Sequence, residues 1–143
     1  MASNTYIISL GGSLVSTESG INWQFLKKFR ALILSEIKTG KRFFIIVGGG
    51  KTSRNYVAAA KKIVSISRED QDWLGIHTTR LNAHLLRTIF RAEAYPAIIK
   101  DPTKSIMTDK KIIIAAGWQP GWSTDYVATI LAEKYKIIRL LDL

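Results

Sequence analysis

Short, continuous runs of apolar residues alternate along the chain with longer segments in which apolar residues recur at helical spacing. The runs, such as "YIISL" and "RFFIIV", predict β-strands. The predicted strands are 6–10, 42–47, 96–100, 111–117 and 136–143. Because apolar residues fill these runs without polar alternation, we expect helices to cover both faces of each strand.

The segments between these runs have the signals of helices. One such segment begins at Asn22, a good N-cap residue, and stops at Gly40, which suits a helix C-terminus. The predicted helices are 22–39, 52–64, 70–93 and 125–135. Alternating strands and helices predict a single α/β domain over residues 1–143, with an open, mostly parallel sheet sandwiched by helices in three layers.

The composition is that of an ordinary globular protein. The 143 residues are 47% hydrophobic and 22% charged, which argues against disorder. There is no cysteine, so disulfides and thiolate metal sites are excluded. The first residues lack a signal-peptide pattern, and no apolar segment approaches the ~20 residues of a membrane span. We therefore expect a soluble, cytoplasmic protein without a membrane partner.

The chain has 21 lysines and arginines but only 11 acidic residues, and the resulting net charge of +10 favours anionic partners. These basic residues are spread along the chain in pairs such as Lys27–Lys28 and Lys61–Lys62, which is typical of solvated helix faces. The chain also lacks an aromatic-rich RNA-binding motif or a zinc pattern. Of the possible anionic partners, nucleotides, nucleic acid and acidic lipid, a nucleic-acid surface is therefore not favoured.

Glycine-containing turns follow three of the predicted strands, in "LGGS" (10–13), "VGGGKTSR" (47–54) and "AAGWQPGWSTD" (115–125). In open α/β sheets, ligands bind outside the carboxyl ends of the strands. The second and third turns lead into helices, whose free N–H groups and dipole attract anions. The three turns together predict a site for several phosphate groups.

Polar side chains beside these turns support the same prediction. Lys51 and Arg54 add positive charge near the second turn, while Ser123 and Thr124 offer hydroxyl groups at the third. The sequence "GGGKTS" lacks the leading glycine of a Walker P-loop, and it does not match the G-x-G-x-x-G dinucleotide fingerprint. The expected phosphate site is therefore of another type.

Four segments resemble the amino acid kinase superfamily in order and spacing: "SLGGSLV", "VGGGKTSRNYV", "DWLGIHTTRLNAHLL" and "GWQPGWSTDYVATILAE". Within it, the match is best to the archaeal type of UMP kinase, over residues 6–143. Isopentenyl phosphate, carbamate and acetylglutamate kinases share this fold and remain alternatives. A further alternative is a non-catalytic nucleotide-binding module of the same fold.

The resemblance implies transfer of a phosphoryl group from ATP, with Mg²⁺, to UMP in pyrimidine nucleotide (CTP) biosynthesis. The residues it implies for ATP are Gly11, Gly12, Ser13, Gly50 and Arg54. Those it implies for UMP are Gly49, Asp72, Gly117, Trp118, Gln119, Pro120, Gly121, Trp122, Ser123 and Thr124, with Asp72 on the ribose hydroxyls. The implied catalytic residues are Ser13, Lys51 and Asp125. No protein-borne metal site is predicted.

The chain departs from the family pattern in two respects. Many members carry a lysine where this chain has Ser9, and Lys51 is the candidate replacement. Members also continue past the last strand into a second half that holds the adenine pocket. We therefore expect this chain to be the N-terminal, UMP-binding part, which, if natural at this length, binds UMP weakly and phosphorylates it poorly or not at all. Members form hexamers built from dimers, so a homo-oligomer is expected.

Three side chains have open interpretations at this stage. Trp118 and Trp122 flank the middle of the third turn, where they either stack on uracil or serve a lid or packing role. Arg80 is expected to approach the UMP phosphate or to pack between subunits, by analogy with similar enzymes.

Overall fold

Four parallel strands form the central sheet in the computed structural model, which describes residues 4–143. The strands are β1 (Thr5–Leu10), β2 (Ser16–Thr17), β3 (Gly20–Ile21), β4 (Arg42–Val47), β5 (Ile112–Ala115) and β6 (Arg139–Asp142). The helices are α1 (Gly12–Val15), α2 (Trp23–Ile37), α3 (Gly50–Ile63), α4 (Arg68–Ile89) and α5 (Thr124–Lys134). The short strands β2 and β3 form a separate antiparallel pair.

The order of strands in the central sheet is β5-β4-β1-β6, and every neighbouring pair is parallel. The carboxyl ends of all four strands therefore lie at one edge of the sheet. The strands that precede the three glycine turns are β1, β4 and β5, which are adjacent to one another. This order places the three turns side by side.

Helices cover both faces of the sheet, as the continuous apolar runs predict. On one face, Ile8 and Ile45 pack with residues of α2 and α4, among them Phe29 and Leu86. On the other face, neighbouring strand residues pack with Val127 and Leu131 of α5. Successive strand residues point to opposite faces, so each apolar run supplies both cores. The predicted three-layer α/β class is confirmed.

Side-chain caps begin three of the helices. Asn22 Oδ1 accepts a hydrogen bond from Phe25 N at 3.2 Å, as predicted from the sequence. Ser67 Oγ accepts from Asp70 N and Ser123 Oγ from Tyr126 N, each at 3.0 Å. Because Ser67 caps α4, that helix starts at Arg68, two residues before the predicted start.

Several predicted boundaries are wrong. The predicted strand 96–100 makes only an isolated bridge between Ile99 and Ala115. The predicted last strand begins at Arg139 rather than 136, after Lys136 with a positive φ of 55°. That strand, β6, is also not buried: Leu140 and Leu141 are 49% and 43% exposed. It lies at the edge of the sheet and pairs on one side only, with β1.

None of the helices between residues 4 and 143 is both long and apolar enough to cross a membrane.

Candidate active site

The first and second glycine turns pack backbone against backbone. A Cβ atom on Gly12 would lie 2.6 Å from the carbonyl carbon of Gly48 and closer still to the nitrogen of Gly50. Gly50 itself has a φ of +64°, a conformation that favours glycine. The close contact between the two turns is therefore sufficient to require glycine at these positions, whether or not a ligand also contacts them.

The third turn meets the second turn through α4 and the start of α5. Thr79 Oγ1 of α4 accepts a hydrogen bond from Gly117 N at 2.8 Å. A Cβ atom on Gly48 would lie 3.9 Å from Thr124 Oγ1. The three turns converge at the carboxyl edge of the sheet, as the sequence predicts.

A cavity of about 520 Å³ lies between the second turn, α4 and the third turn. Seven of the residues predicted for UMP line it: Gly49, Asp72, Gly117, Gly121, Trp122, Ser123 and Thr124. The other three predicted residues, Trp118, Gln119 and Pro120, do not line it. Trp118 instead packs against the apolar core on the α5 face of the sheet. This contact favours the packing role for that side chain.

A second cavity of about 390 Å³ contains two of the predicted catalytic residues, Ser13 and Lys51. Lys51 Nζ lies 3.6 Å from Glu18 Oε1 in an ion pair. Arg54 lines both cavities, so the two adjoin at this side chain. Arg54 is therefore the residue that the two cavities share.

The second turn has backbone N–H groups without a hydrogen-bond acceptor, whereas some N–H groups of the first and third turns are already bonded. The first N–H groups of a helix have no acceptor within the helix. Among residues 4–143, the N–H groups of Gly50 and Lys51, at the start of α3, donate no hydrogen bond. By contrast, Gly11 N donates to Leu143 O at 2.8 Å. The Gly117 amide is taken by Thr79, so neither Gly11 nor Gly117 offers a free N–H to a phosphate.

Asp72 both lines the larger cavity and holds the third turn. Its Oδ2 accepts a hydrogen bond from Gly121 N at 2.9 Å, and its Oδ1 lies 3.8 Å from Arg68 Nε. The side chain is 31% exposed. A carboxylate in this position has lone pairs left over for a second donor from the cavity.

Asp125 lies outside both cavities, at the first turn of α5. Its Oδ1 accepts a hydrogen bond from Ser9 Oγ at 2.7 Å. Ser9 is buried near the end of β1. The serine therefore fixes the carboxylate of Asp125 at the carboxyl edge of the sheet.

Three polar residues of α4 contact the turns, and no role of this kind was predicted for them. Besides Thr79, Arg80 donates from Nε to Gly117 O at 3.2 Å and from a terminal nitrogen to Trp118 O at 2.9 Å. Asn82 Nδ2 donates to Gly48 O at 2.9 Å and to Gly49 O at 3.3 Å. The available signal was polar residues on the buried face of an amphipathic helix.

The Arg80 guanidinium binds two carbonyls of its own chain, a contact that the sequence did not predict. Burial lowers the pKa of the Arg80 guanidinium below its usual value. Arginine titrates so far above neutrality that the group stays charged. A charged donor makes stronger hydrogen bonds to the two carbonyls than a neutral one would.

The chain belongs to the amino acid kinase family, whose family model matches residues 4–143. It is 38% identical over 134 residues to the uridylate kinase of Methanoregula boonei, covering 91% of this chain and 55% of that protein. It is 38% identical over 130 residues to the uridylate kinase of Thermococcus sibiricus, covering 89% and 56%. The chain thus spans just over half the length of these curated relatives.

Solved structures show the same fold. The uridylate kinase of Archaeoglobus fulgidus superposes with a TM-score of 0.77 at 30% identity, covering 96% of this chain and 61% of that one. The aspartate kinase of Synechocystis superposes with a TM-score of 0.79 over 96% of this chain and 27% of that one. At 15% identity, the second likeness shows the fold alone.

Proposed function

We propose that this chain forms the UMP-binding part of a UMP kinase, which transfers the γ-phosphoryl group of ATP to UMP and yields UDP and ADP. The observation that carries the proposal is a cavity of about 520 Å³ between the second and third glycine turns, with the first turn packed against the second. The identity to uridylate kinases supports UMP as the acceptor. The product UDP would enter pyrimidine nucleotide biosynthesis.

The lining of the larger cavity suits a nucleoside monophosphate. The carboxylate of Asp72 can accept hydrogen bonds from ribose hydroxyls, and the indole of Trp122 offers an apolar face to uracil. Arg54, at the junction of the two cavities, supplies positive charge for the phosphate. We assign the smaller cavity, with Ser13 and Lys51, to the phosphates of ATP.

The chemistry requires alignment and charge stabilisation more than acid–base catalysis. A phosphate oxygen of UMP attacks the γ-phosphorus of ATP, and the bond from that phosphorus to the β–γ bridging oxygen breaks as ADP leaves. The nucleophile is already an anion, so no strong base is needed. The amides of Gly50 and Lys51, with the Lys51 side chain, are the donors that would stabilise charge on the transferred group.

Mg²⁺ binds ATP phosphates through one or two protein carboxylates and several waters, and it neutralises phosphate charge. One carboxylate fixed at the carboxyl edge of the sheet, that of Asp125, fits such a metal. Between residues 4 and 143 no group of three or more histidine and acidic side chains lies close enough to hold an ion. Asp125, held by Ser9, is the carboxylate that would share an ATP-bound Mg²⁺.

Calorimetric titration of the chain with UMP and with ATP, separately, tests the proposal. We expect UMP to bind with a dissociation constant near the upper end of common substrate values, about 1 mM. ATP is expected to bind more weakly, and a coupled ADP-release assay should show little turnover. AMP serves as the control nucleotide, since it differs from UMP only in its base. Equal affinity for AMP and UMP, or no binding of UMP, would contradict the proposal.

A further inference from the structure

One turn of α4 makes hydrogen bonds to both turns that border the larger cavity. Asn82 binds the second turn through the carbonyls of Gly48 and Gly49. Thr79 and Arg80 bind the third turn through both backbone groups of Gly117. These side chains lie within four residues of each other, so a rigid helical turn links the two sides of the cavity.

The bonds of Asn82 fix which way the amides of the second turn point. In a trans peptide unit, the carbonyl and the N–H point in opposite directions. Because Asn82 holds the carbonyls of Gly48 and Gly49, the amides of Gly49 and Gly50 must point away from α4. The nitrogen atoms of both residues lie close to Gly12, where a Cβ atom would be 2.7 Å from Gly49 N and closer to Gly50 N.

The bonds of Thr79 and Arg80 fix the third turn in the same way. Gly117 has its N–H bound to Thr79 and its carbonyl bound to Arg80, so it cannot rotate without breaking one of these bonds. Arg80 also binds Trp118 O at 2.9 Å. The start of the turn is thereby anchored, and Trp122 and Ser123 further along it remain in the cavity lining.

We propose that Arg80 and Asn82 are positioning residues, which set the separation of the two turns and thereby the affinity of the cavity for UMP. Neither side chain lines the cavity, so their effect on UMP is indirect. Thr79 lines the cavity and anchors the same turn as Arg80. This inference rests on the proposed binding of UMP, and the experiments below separate the two.

The variants Arg80→Met and Asn82→Leu test the inference, because each removes the hydrogen-bond donors and keeps a side chain of broadly similar shape. We expect each variant to weaken UMP binding on the order of tenfold, since each leaves carbonyls of a cavity-forming turn without their donor. Arg87→Met, two turns further along the same helix, is the matched control and should bind UMP as the wild type does. Calorimetry well below the unfolding temperature measures the affinities.

Unfolding temperatures distinguish positioning from a purely structural role. If Arg80→Met and Asn82→Leu lower the unfolding temperature but bind UMP with wild-type affinity when folded, the inference is overturned. Affinity that falls in both variants and not in Arg87→Met supports it.

Amide hydrogen exchange gives a readout that does not depend on UMP. Thr79→Val removes the acceptor of the Gly117 N–H, and we expect exchange at this amide to accelerate on the order of tenfold. Thr79→Ser keeps the hydroxyl and should restore slow exchange. Thr78→Val is the matched control, because among residues 4–143 the Thr78 hydroxyl bonds only to Leu74 O of its own helix.

The two proposals fail in different ways. If the wild type does not bind UMP, the proposed function fails. Hydrogen exchange at the Gly117 amide then still tests whether α4 anchors the third turn. Unchanged exchange in Thr79→Val and in Arg80→Met would overturn the inference even if UMP binds normally. Accelerated exchange in both variants, with slow exchange in Thr78→Val, supports it.

Discussion

Replacement of Gly12 by alanine is expected to abolish UMP binding and to lower the free energy of unfolding by about 3 kcal/mol or more. The new Cβ atom would meet the backbone of Gly48, Gly49 and Gly50, with 2.6 Å to the Gly48 carbonyl carbon. Backbone atoms cannot swing aside as a flexible side chain can. The first and second turns would therefore have to separate, and the amides of the second turn would lose their positions.

Gly75→Ala is the matched control for this substitution. Gly75 lies inside α4, and a Cβ atom there would meet only Ser53 Oγ, at 3.4 Å. Alanine is the better helix former, so this variant should keep its stability or gain up to about 1 kcal/mol. Thermal unfolding compares the two, and Gly12→Ala should unfold roughly 6–12 °C lower than the wild type. A Gly12→Ala variant with wild-type unfolding temperature and UMP affinity would contradict the expectation.

The sequence predicted those elements whose signals are local. β4 occupies residues 42–47 as predicted, because an unbroken apolar run between polar residues leaves no other choice. Asn22 caps α2 through its own side chain, which is a property of a few neighbouring residues. The parallel sheet and the helices on its faces follow from the order of such elements, so the fold class was predictable.

The details that depend on contacts between distant segments were not predictable. α3 begins at Gly50, two residues before the predicted start, although glycine is a poor helix former. Its positive φ and its contact with Gly12 are tertiary features. Likewise, the first turn continues into α1 and the β2–β3 pair, which are too short to carry a periodic signal.

The candidate site was predicted in part for the same reason. The glycine turns and their polar flanks identified the carboxyl edge of the sheet, and seven residues of the cavity lining follow from the family resemblance. The pairing of Ser9 with Asp125 and the bonds of Arg80 and Asn82 join residues 33 to 116 positions apart. A single sequence does not contain those pairings, so the supporting contacts of the site required the structure.

Asp72→Ala is expected to weaken UMP binding between about tenfold and hundredfold. The substitution removes the acceptor for Gly121 N, so the third turn loses a tie to α4. It also removes the carboxylate that we propose for the ribose hydroxyls. Asp70→Ala is the matched control, since Asp70 is exposed on the same helix and lies outside the cavity lining.

A comparison of UMP with 2′-deoxy-UMP separates these two contributions of Asp72. If the carboxylate accepts a hydrogen bond from the 2′-hydroxyl, the wild type should prefer UMP about tenfold, and Asp72→Ala should bind both nucleotides equally. A role limited to holding Gly121 would weaken both nucleotides by the same factor and leave any preference intact. Calorimetry measures the affinity of both nucleotides for the wild type, Asp72→Ala and Asp70→Ala. The ribose is assigned to the Asp72 carboxylate if Asp72→Ala loses the preference for UMP while Asp70→Ala keeps it.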